Sequence, residues 1–163
     1  IIDDGVRDLL KFTEYPGMKV LCFAFNGEKD NLYLPQNIEE NSICYTGTHD
    51  NDTLLGLISS ASEWDKNNIY KGVKNSLNKF NVSLDITDNE SLINAIILLG
   101  FKSKSKLFIM PLQDALIKNS DFRINEPGTI KNQNWAVRFS DKDFNAKLAN
   151  KIFKWTKNSN RLN

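Results

Sequence analysis

The stretch that decides the fold is Asn41-Ser-Ile-Cys-Tyr-Thr-Gly-Thr-His-Asp-Asn-Asp-Thr53. Residues 43–45 form a short apolar run that favours β-structure, and a dense cluster of small polar residues follows. The single histidine of the chain, His49, lies in this cluster beside Asp50. An amphipathic helical pattern begins directly afterwards at residues 54–58. A buried strand that ends in polar residues before a helix is how a (β/α) barrel presents catalytic groups at its C-terminal face.

The rest of the chain alternates between helical and strand patterns. The spacing predicts helices over residues 4–15, 53–60, 62–79 and 87–103, and strands over residues 18–25, 43–47 and 107–112. The predicted N-caps of the four later helices are Asp52, Ser62, Thr87 and, for a final helix, Ser140. Residues 18–25 are mostly apolar without strict alternation, which indicates a strand buried on both faces. The order predicts a parallel α/β arrangement in one domain over residues 1–163.

Composition excludes several classes of partner. The 163 residues carry a formal net charge of +1, so there is no electrostatic footprint for nucleic acid or an anionic membrane. No apolar run approaches the roughly 20 residues of a membrane span. No signal peptide is evident, and we therefore expect a cytoplasmic protein. Cys22 and Cys44 both lie in apolar runs and are predicted to be buried small hydrophobes, not a disulfide or a metal pair.

From its spacing alone, the His49-Asp50 pair has two interpretations. It is either a polar pair that caps the next helix or a charge-stabilising pair in a functional site. A calcium loop is excluded, because Leu54 and Leu55 would occupy a ligand position and the required glycine. A metal-dependent phosphohydrolase would need several further histidines, and the chain has one. We therefore predict no metal and no cofactor.

Several motifs resemble one enzyme family. Tyr45-Thr-Gly-Thr-His-Asp-Asn-Asp-Thr53 resembles the signature of the 4-α-glucanotransferases (amylomaltases, or disproportionating enzymes), which are related to the α-amylases. Further family-like motifs follow the family's order: Gly17-Met-Lys-Val-Leu-Cys-Phe-Ala-Phe25, Arg123-Ile-Asn-Glu-Pro-Gly128 and Asn134-Trp-Ala-Val-Arg138. The resemblance covers essentially the whole chain, which would correspond to the last third of such an enzyme. It implies the C-terminal part of a (β/α)8 TIM barrel, with about three parallel strands and flanking helices.

The resemblance also implies roles for individual residues. Asp50 would be the third catalytic carboxylate, and His49 would bind the sugar in the −1 site. Phe25 occupies the position of an aromatic residue near the acceptor sugar, although a core phenylalanine remains the alternative. Asn125 is a candidate ligand of the donor sugar. Asp114, at the end of the last strand, is expected to cap or orient and not to react.

The activity implied is the transfer of α-1,4-glucan segments between malto-oligosaccharides through a covalent glucosyl-enzyme. The family's nucleophilic aspartate and its acid/base glutamate, typically in Ala-Glu-Asp-Leu-Gly, have no match here, so we expect the isolated chain to be inactive. Two alternatives stay open: a non-catalytic sugar-binding or assembly module, and a fragment of an α-amylase-type hydrolase that shares the His-Asp pair. Three strands cut from a barrel would also expose their edges, which predicts self-association.

Overall fold

The computed structural model describes residues 3–162. Three strands form one sheet in the order β1-β2-β3, and both pairs are parallel. The elements are α1 (Asp4–Thr13), β1 (Gly17–Val20), β2 (Ser42–Tyr45), α2 (Leu54–Ser60), α3 (Glu63–Lys79), α4 (Asn89–Lys102), β3 (Leu107–Ile109), α5 (Leu112–Ala115) and α6 (Ala146–Asn158). The predicted order of helices and strands is confirmed, as is the parallel arrangement.

The strands are shorter than predicted. β1 ends at Val20, and the chain then turns through a 3-10 helix at Leu21–Phe23. The ladder explains the early end, because Val20 pairs with Tyr45, the last residue of β2. The expectation of burial on both faces is wrong for β1, since Met18 is 58% exposed and Lys19, on the opposite face, is only half-buried. β3 also stops early, at Ile109, and the short helix α5 follows.

Three of the predicted N-caps are replaced, two of them by the adjacent residue. The side chain of Thr53, not that of Asp52, accepts the capping hydrogen bond at the start of α2. Asp88 replaces Thr87 at α4, because its carboxylate accepts from the Ser91 amide at 2.8 Å. Ser140 begins only a 3-10 turn, and Asn145 caps the final helix α6. The Ser62 cap of α3 is confirmed.

The hydrophobic core lies between the sheet and helices α2, α3 and α4. Helix α4 is apolar on most of its surface, and Ile93, Ile97 and Leu99 are completely buried. Gly100 lies within α4, where a Cβ atom would come within 2.2 Å of the Phe108 ring. The glycine therefore lets α4 pack closely on β3 and does not end the helix.

Helix α1 forms as predicted but buries none of its residues. The Asp3 carboxylate accepts a capping hydrogen bond from the Val6 amide at 3.0 Å. The apolar stripe of the helix remains open to solvent, with Leu9 61% exposed.

The two cysteines are both free thiols, one buried and one half-buried. Burial raises the pKa of each thiol to about 12, so both remain protonated at neutral pH. None of the helices within residues 3–162 is both long enough and apolar enough to cross a membrane.

Candidate functional site

Because all three strands run parallel, their carboxyl ends meet at one edge of the sheet. The turn Leu21–Phe23 follows β1 there, the polar segment 46–52 follows β2, and residues 110–114 follow β3. The segment 119–135 returns to this edge and contacts the polar segment after β2. The candidate site is the set of side chains that these segments bring together.

Asp50 lies at the centre of this site. The Asn125 side chain donates a hydrogen bond to Asp50 Oδ1 at 2.7 Å, and His49 Nε2 lies 3.2 Å from the same oxygen. The backbone is tied as well, because the Asn125 amide donates to the His49 carbonyl at 3.0 Å. Arg123 Nη2 donates to the Asp50 carbonyl at 2.8 Å. The orientation of Asp50 is therefore set by a loop that is distant in sequence.

The carboxylate of Asp50 is held on one side and open on the other. The Asp50 side chain is 46% exposed, and that of His49 is 52% exposed. Both side-chain contacts go to Oδ1, and within residues 3–162 no side chain or amide donates to Oδ2. An ionised carboxylate only accepts hydrogen bonds, so the free oxygen can receive hydroxyl donors from a bound molecule.

The turn that carries Asp50 is stabilised locally. The Asn51 side-chain oxygen accepts from the Thr48 amide at 2.8 Å and from the Thr48 hydroxyl at 2.9 Å. The Thr48 hydroxyl in turn accepts from the Asp50 amide at 3.3 Å. Asn and Thr side chains commonly satisfy backbone groups in this way where no regular structure is available.

Asp114 joins the end of β2 to the start of α2. It is 2% exposed and accepts from the Leu54 amide at 2.8 Å and from the Thr46 hydroxyl at 2.6 Å. The expectation that Asp114 caps or orients is confirmed by these two contacts. Burial raises the pKa of its carboxyl, the two hydrogen bonds oppose that shift, and the nearby charge of Asp52 adds to it.

Asp52 connects the start of α2 to the returning loop. Its carboxylate accepts from the Thr53 amide at 2.7 Å and from the Ser120 hydroxyl at 2.8 Å. Gly56 makes this approach possible, because a Cβ atom there would lie 2.3 Å from Ser120 Oγ and 2.6 Å from Asp52 Cγ. Asp52 and Asp114 thus have structural partners that Asp50 lacks on its free oxygen.

The end of the returning loop places an aromatic ring against the site. The Trp135 indole lies 5.1 Å from the His49 imidazole between ring centroids, with the planes tilted by 37°. The Trp135 amide donates to the Ile124 carbonyl at 2.7 Å. The Asn134 side chain accepts from the Glu126 amide at 3.1 Å and closes the loop.

A comparison with known families shows which family the chain belongs to. The family model described as 4-alpha-glucanotransferase, glycoside hydrolase family 77, matches residues 1–144. The chain belongs to the 4-alpha-glucanotransferase family.

Individual relatives of this family agree with the assignment. The 4-alpha-glucanotransferase of Clostridium butyricum is 37% identical over 156 residues, which is 96% of this chain and 30% of the relative. The chloroplastic/amyloplastic 4-alpha-glucanotransferase of Solanum tuberosum is 36% identical over 138 residues, 84% of this chain and 22% of the relative. The chain therefore spans less than a third of the length of these relatives.

Solved structures of amylomaltases share the fold. The amylomaltase from Streptococcus agalactiae, in complex with acarbose, superposes with a TM-score of 0.86 and 27% identity, covering 100% of this chain and 31% of that one. The amylomaltase from Corynebacterium glutamicum, at 12% identity, shows the fold alone, with a TM-score of 0.68 over 96% of this chain and 27% of that one. The predicted fold class is confirmed: three parallel strands with flanking helices, consistent with part of a (β/α)8 barrel.

Three of the four residues that the glucanotransferase resemblance singled out come together: His49, Asp50 and Asn125. Phe25 does not join them, which corrects the interpretation of it as a sugar-stacking residue. It is 7% exposed, and its ring packs on Gly72 of α3, where a Cβ atom would lie 2.9 Å from the ring. The alternative, a core phenylalanine, describes its position.

The sequence comparison with the glucanotransferases missed other residues at this edge. Phe23 is 52% exposed on the turn after β1 and lies 6.1 Å from the Tyr33 ring. The sequence did not indicate its exposure, because in a continuous strand over residues 18–25 Phe23 and Phe25 would lie on the same face. Arg123 and Trp135 lie in motifs that were recognised, but no sequence signal indicates which atoms they contact. Within the described residues, no cluster of three His, Cys, Asp or Glu side chains is arranged to hold a metal ion.

Proposed function

We propose that this chain supplies the sugar-holding carboxylate of a 4-α-glucanotransferase that acts on α-1,4-glucans and malto-oligosaccharides. One observation carries the proposal: Asp50 is fixed through Oδ1 by Asn125 and His49, while Oδ2 is open. Family membership supports the transferase over the hydrolase alternative. The acarbose bound by the Streptococcus agalactiae amylomaltase supports an oligosaccharide as the ligand.

The proposed chemistry explains why a third carboxylate is needed. A retaining glycosyl transfer passes through a transition state that resembles an oxocarbenium ion. Positive charge on the ring makes the sugar hydroxyls more acidic, so their hydrogen bonds to Asp50 strengthen as the transition state forms. Asp50 would act without being nucleophile or proton donor. Asn125 and His49 would keep its free oxygen directed at the sugar.

The two reacting carboxylates would come from a part of the enzyme that this chain does not contain. Retaining chemistry needs a nucleophile and an acid/base about 5–5.5 Å apart. Asp52 and Asp114 belong to the same edge of the sheet, but both accept hydrogen bonds from the backbone at the start of α2. We therefore propose that the chain alone binds sugar and does not transfer it. Transfer of this kind needs no metal or cofactor, and the two free thiols support a cytoplasmic location.

The binding test compares the chain with an Asp50→Asn variant, using acarbose and maltotetraose as ligands in titration calorimetry. Hydrogen bonds to a charged group contribute about 1.5–3 kcal/mol, so the variant should lose about tenfold or more in affinity. Asp8→Asn, on the exposed helix α1, is the matched control and should bind as the wild type does. Equal affinity of the Asp50→Asn variant and the wild type would contradict the proposal.

The activity test asks whether the purified chain changes the length of maltotriose. We expect no disproportionation, because the described part of the site provides Asp50 with a free oxygen, whereas transfer also requires a nucleophile and an acid/base. If the chain formed longer and shorter products that disappeared in an Asp50→Ala variant, the proposal that the reacting carboxylates lie outside this chain would be wrong.

A further inference from the structure

Trp135 has a backbone conformation that most side chains avoid. Its φ is 63°, in the left-handed region where glycine is the usual residue. Its side chain is 61% exposed, so burial in the core does not account for the strain. Strained residues persist where their surroundings hold them, and they cluster at functional sites. This conformation therefore calls for a role at the edge where Trp135 lies.

The loop holds Trp135 in place from two directions. Its amide donates to the Ile124 carbonyl at 2.7 Å, which ties the two ends of the loop together. The preceding residue, Asn134, donates to the Thr129 carbonyl at 3.1 Å and accepts from the Glu126 amide at 3.1 Å. These contacts fix the backbone at Trp135 and at the residue before it, so the loop determines where the side chain of Trp135 begins.

The indole packs against the imidazole of His49, with 5.1 Å between the ring centroids. The one polar contact of the imidazole within residues 3–162 is from Nε2 to Asp50 Oδ1, at 3.2 Å. A single contact of this kind leaves the ring free to turn about it, and an aromatic neighbour removes that freedom. We propose that Trp135 is a positioning residue that holds the His49 imidazole in the orientation required to bind the sugar. This inference rests on the proposed function, in which His49 and Asp50 bind a glucosyl ring.

The first experiment uses the fact that His49 is the single histidine of the chain, so that its imidazole gives one unambiguous set of proton NMR signals. Trp135→Gly is the best deletion, because glycine adopts a φ of 63° without strain and preserves the loop backbone. We expect the His49 signals to move towards those of a free imidazole when the indole ring current is lost. Trp135→Phe should retain part of the shift. Trp64→Ala is the control, on an exposed tryptophan of α3, and should leave the signals unchanged.

The second experiment is a double-mutant cycle on maltotetraose affinity. Trp135→Gly and His49→Ala should each weaken binding by about tenfold, and the double variant should lose little more. Trp135→Phe should recover most of the affinity. Additive losses, or His49 signals that do not respond to Trp135→Gly, would overturn the inference. Failure of the wild-type chain to bind maltotetraose would refute the proposed function instead, and the imidazole spectrum would still decide whether the Trp135 indole lies against His49.

Discussion

Asn125 donates a hydrogen bond to the Asp50 carboxylate at 2.7 Å although 75 residues separate the two in the chain. The contact joins the motif after β2 to the loop that follows α5, and the Asn125 amide reinforces it by donating to the His49 carbonyl. The amide side chain stabilises a charged acceptor without adding a second charge. This explains why an asparagine, and not another aspartate, faces Asp50.

Asn125→Asp should weaken the binding of acarbose more than any neutral change at this position. It replaces a donor with a second carboxylate next to Asp50, and like charges at this distance repel strongly. We expect a loss of more than about tenfold by titration calorimetry. Asn132→Asp is the matched control, because Asn132 is exposed in the same loop. Similar losses in the two variants would show that loop charge in general, not the contact with Asp50, lowers the affinity.

Asp114→Asn should change stability in a pH-dependent way. Burial raises the pKa of Asp114 in the folded protein above its ordinary value of 3.8. The buried carboxyl therefore favours the folded state most when it is protonated, and that contribution is lost as the pH rises through the folded pKa. Relative to the wild type, the variant should become more stable as the pH rises from about 4, measured by urea unfolding at several pH values. If the stability of the variant relative to the wild type stayed constant or fell over this range, Asp114 would not be a buried carboxyl that ionises with a raised pKa.

Asp143→Asn should change the pH dependence of stability in the opposite direction to Asp114→Asn. The Lys118 ammonium, 2.8 Å away, lowers the pKa of the Asp143 carboxyl to about 2. The stabilisation that ionised Asp143 gives the folded state is complete at pH values above its ordinary pKa of 3.8 and is lost as the pH falls towards 2. The variant should therefore lose stability relative to the wild type as the pH rises through this window, and the effect should weaken in high salt.

Gly100→Ala should destabilise the fold by about 1–3 kcal/mol, because the added methyl group would overlap the Phe108 ring. This cost exceeds the gain of about 1 kcal/mol that alanine offers in a helix interior. Gly17→Ala is the control, since a Cβ atom at Gly17 would meet no atom within 4 Å. Urea unfolding of the two variants measures the difference. A Gly100→Ala variant as stable as the wild type would mean that Phe108 can repack without cost.

The chain should self-associate through its sheet edges, a prediction that follows from the two edge strands β1 and β3. Ile109 on β3 is 44% exposed and Leu107 is 55% exposed. Ile109→Lys should shift the chain towards monomer in sedimentation velocity, whereas Ile130→Lys, at a fully exposed loop position, should not. A wild-type chain that sediments as a monomer at high concentration would contradict this prediction.

The sequence was sufficient for the features that depend on nearby residues. The spacing of apolar side chains predicted the helices now seen at Asp4–Thr13, Leu54–Ser60, Glu63–Lys79 and Asn89–Lys102. Local patterns also predicted the parallel order and the Ser62 cap. At the starts of α2 and α4 the errors were shifts of one residue, to Thr53 and Asp88, where adjacent residues offer the backbone an equivalent oxygen. Which of them accepts depends on the backbone angles at the first turn, and composition does not specify those angles.

The arrangement of the site had to come from the folded chain. Motif spacing marked His49, Asp50 and Asn125 as candidates, but their hydrogen bonds exist because a loop returns across the edge of the sheet. The folded chain also separates Phe23 from Phe25. The turn after Val20 leaves the first ring exposed and buries the second against Gly72, whereas an apolar run in the sequence treats them alike. Contacts between distant residues depend on how the elements pack together, and no local pattern records that packing.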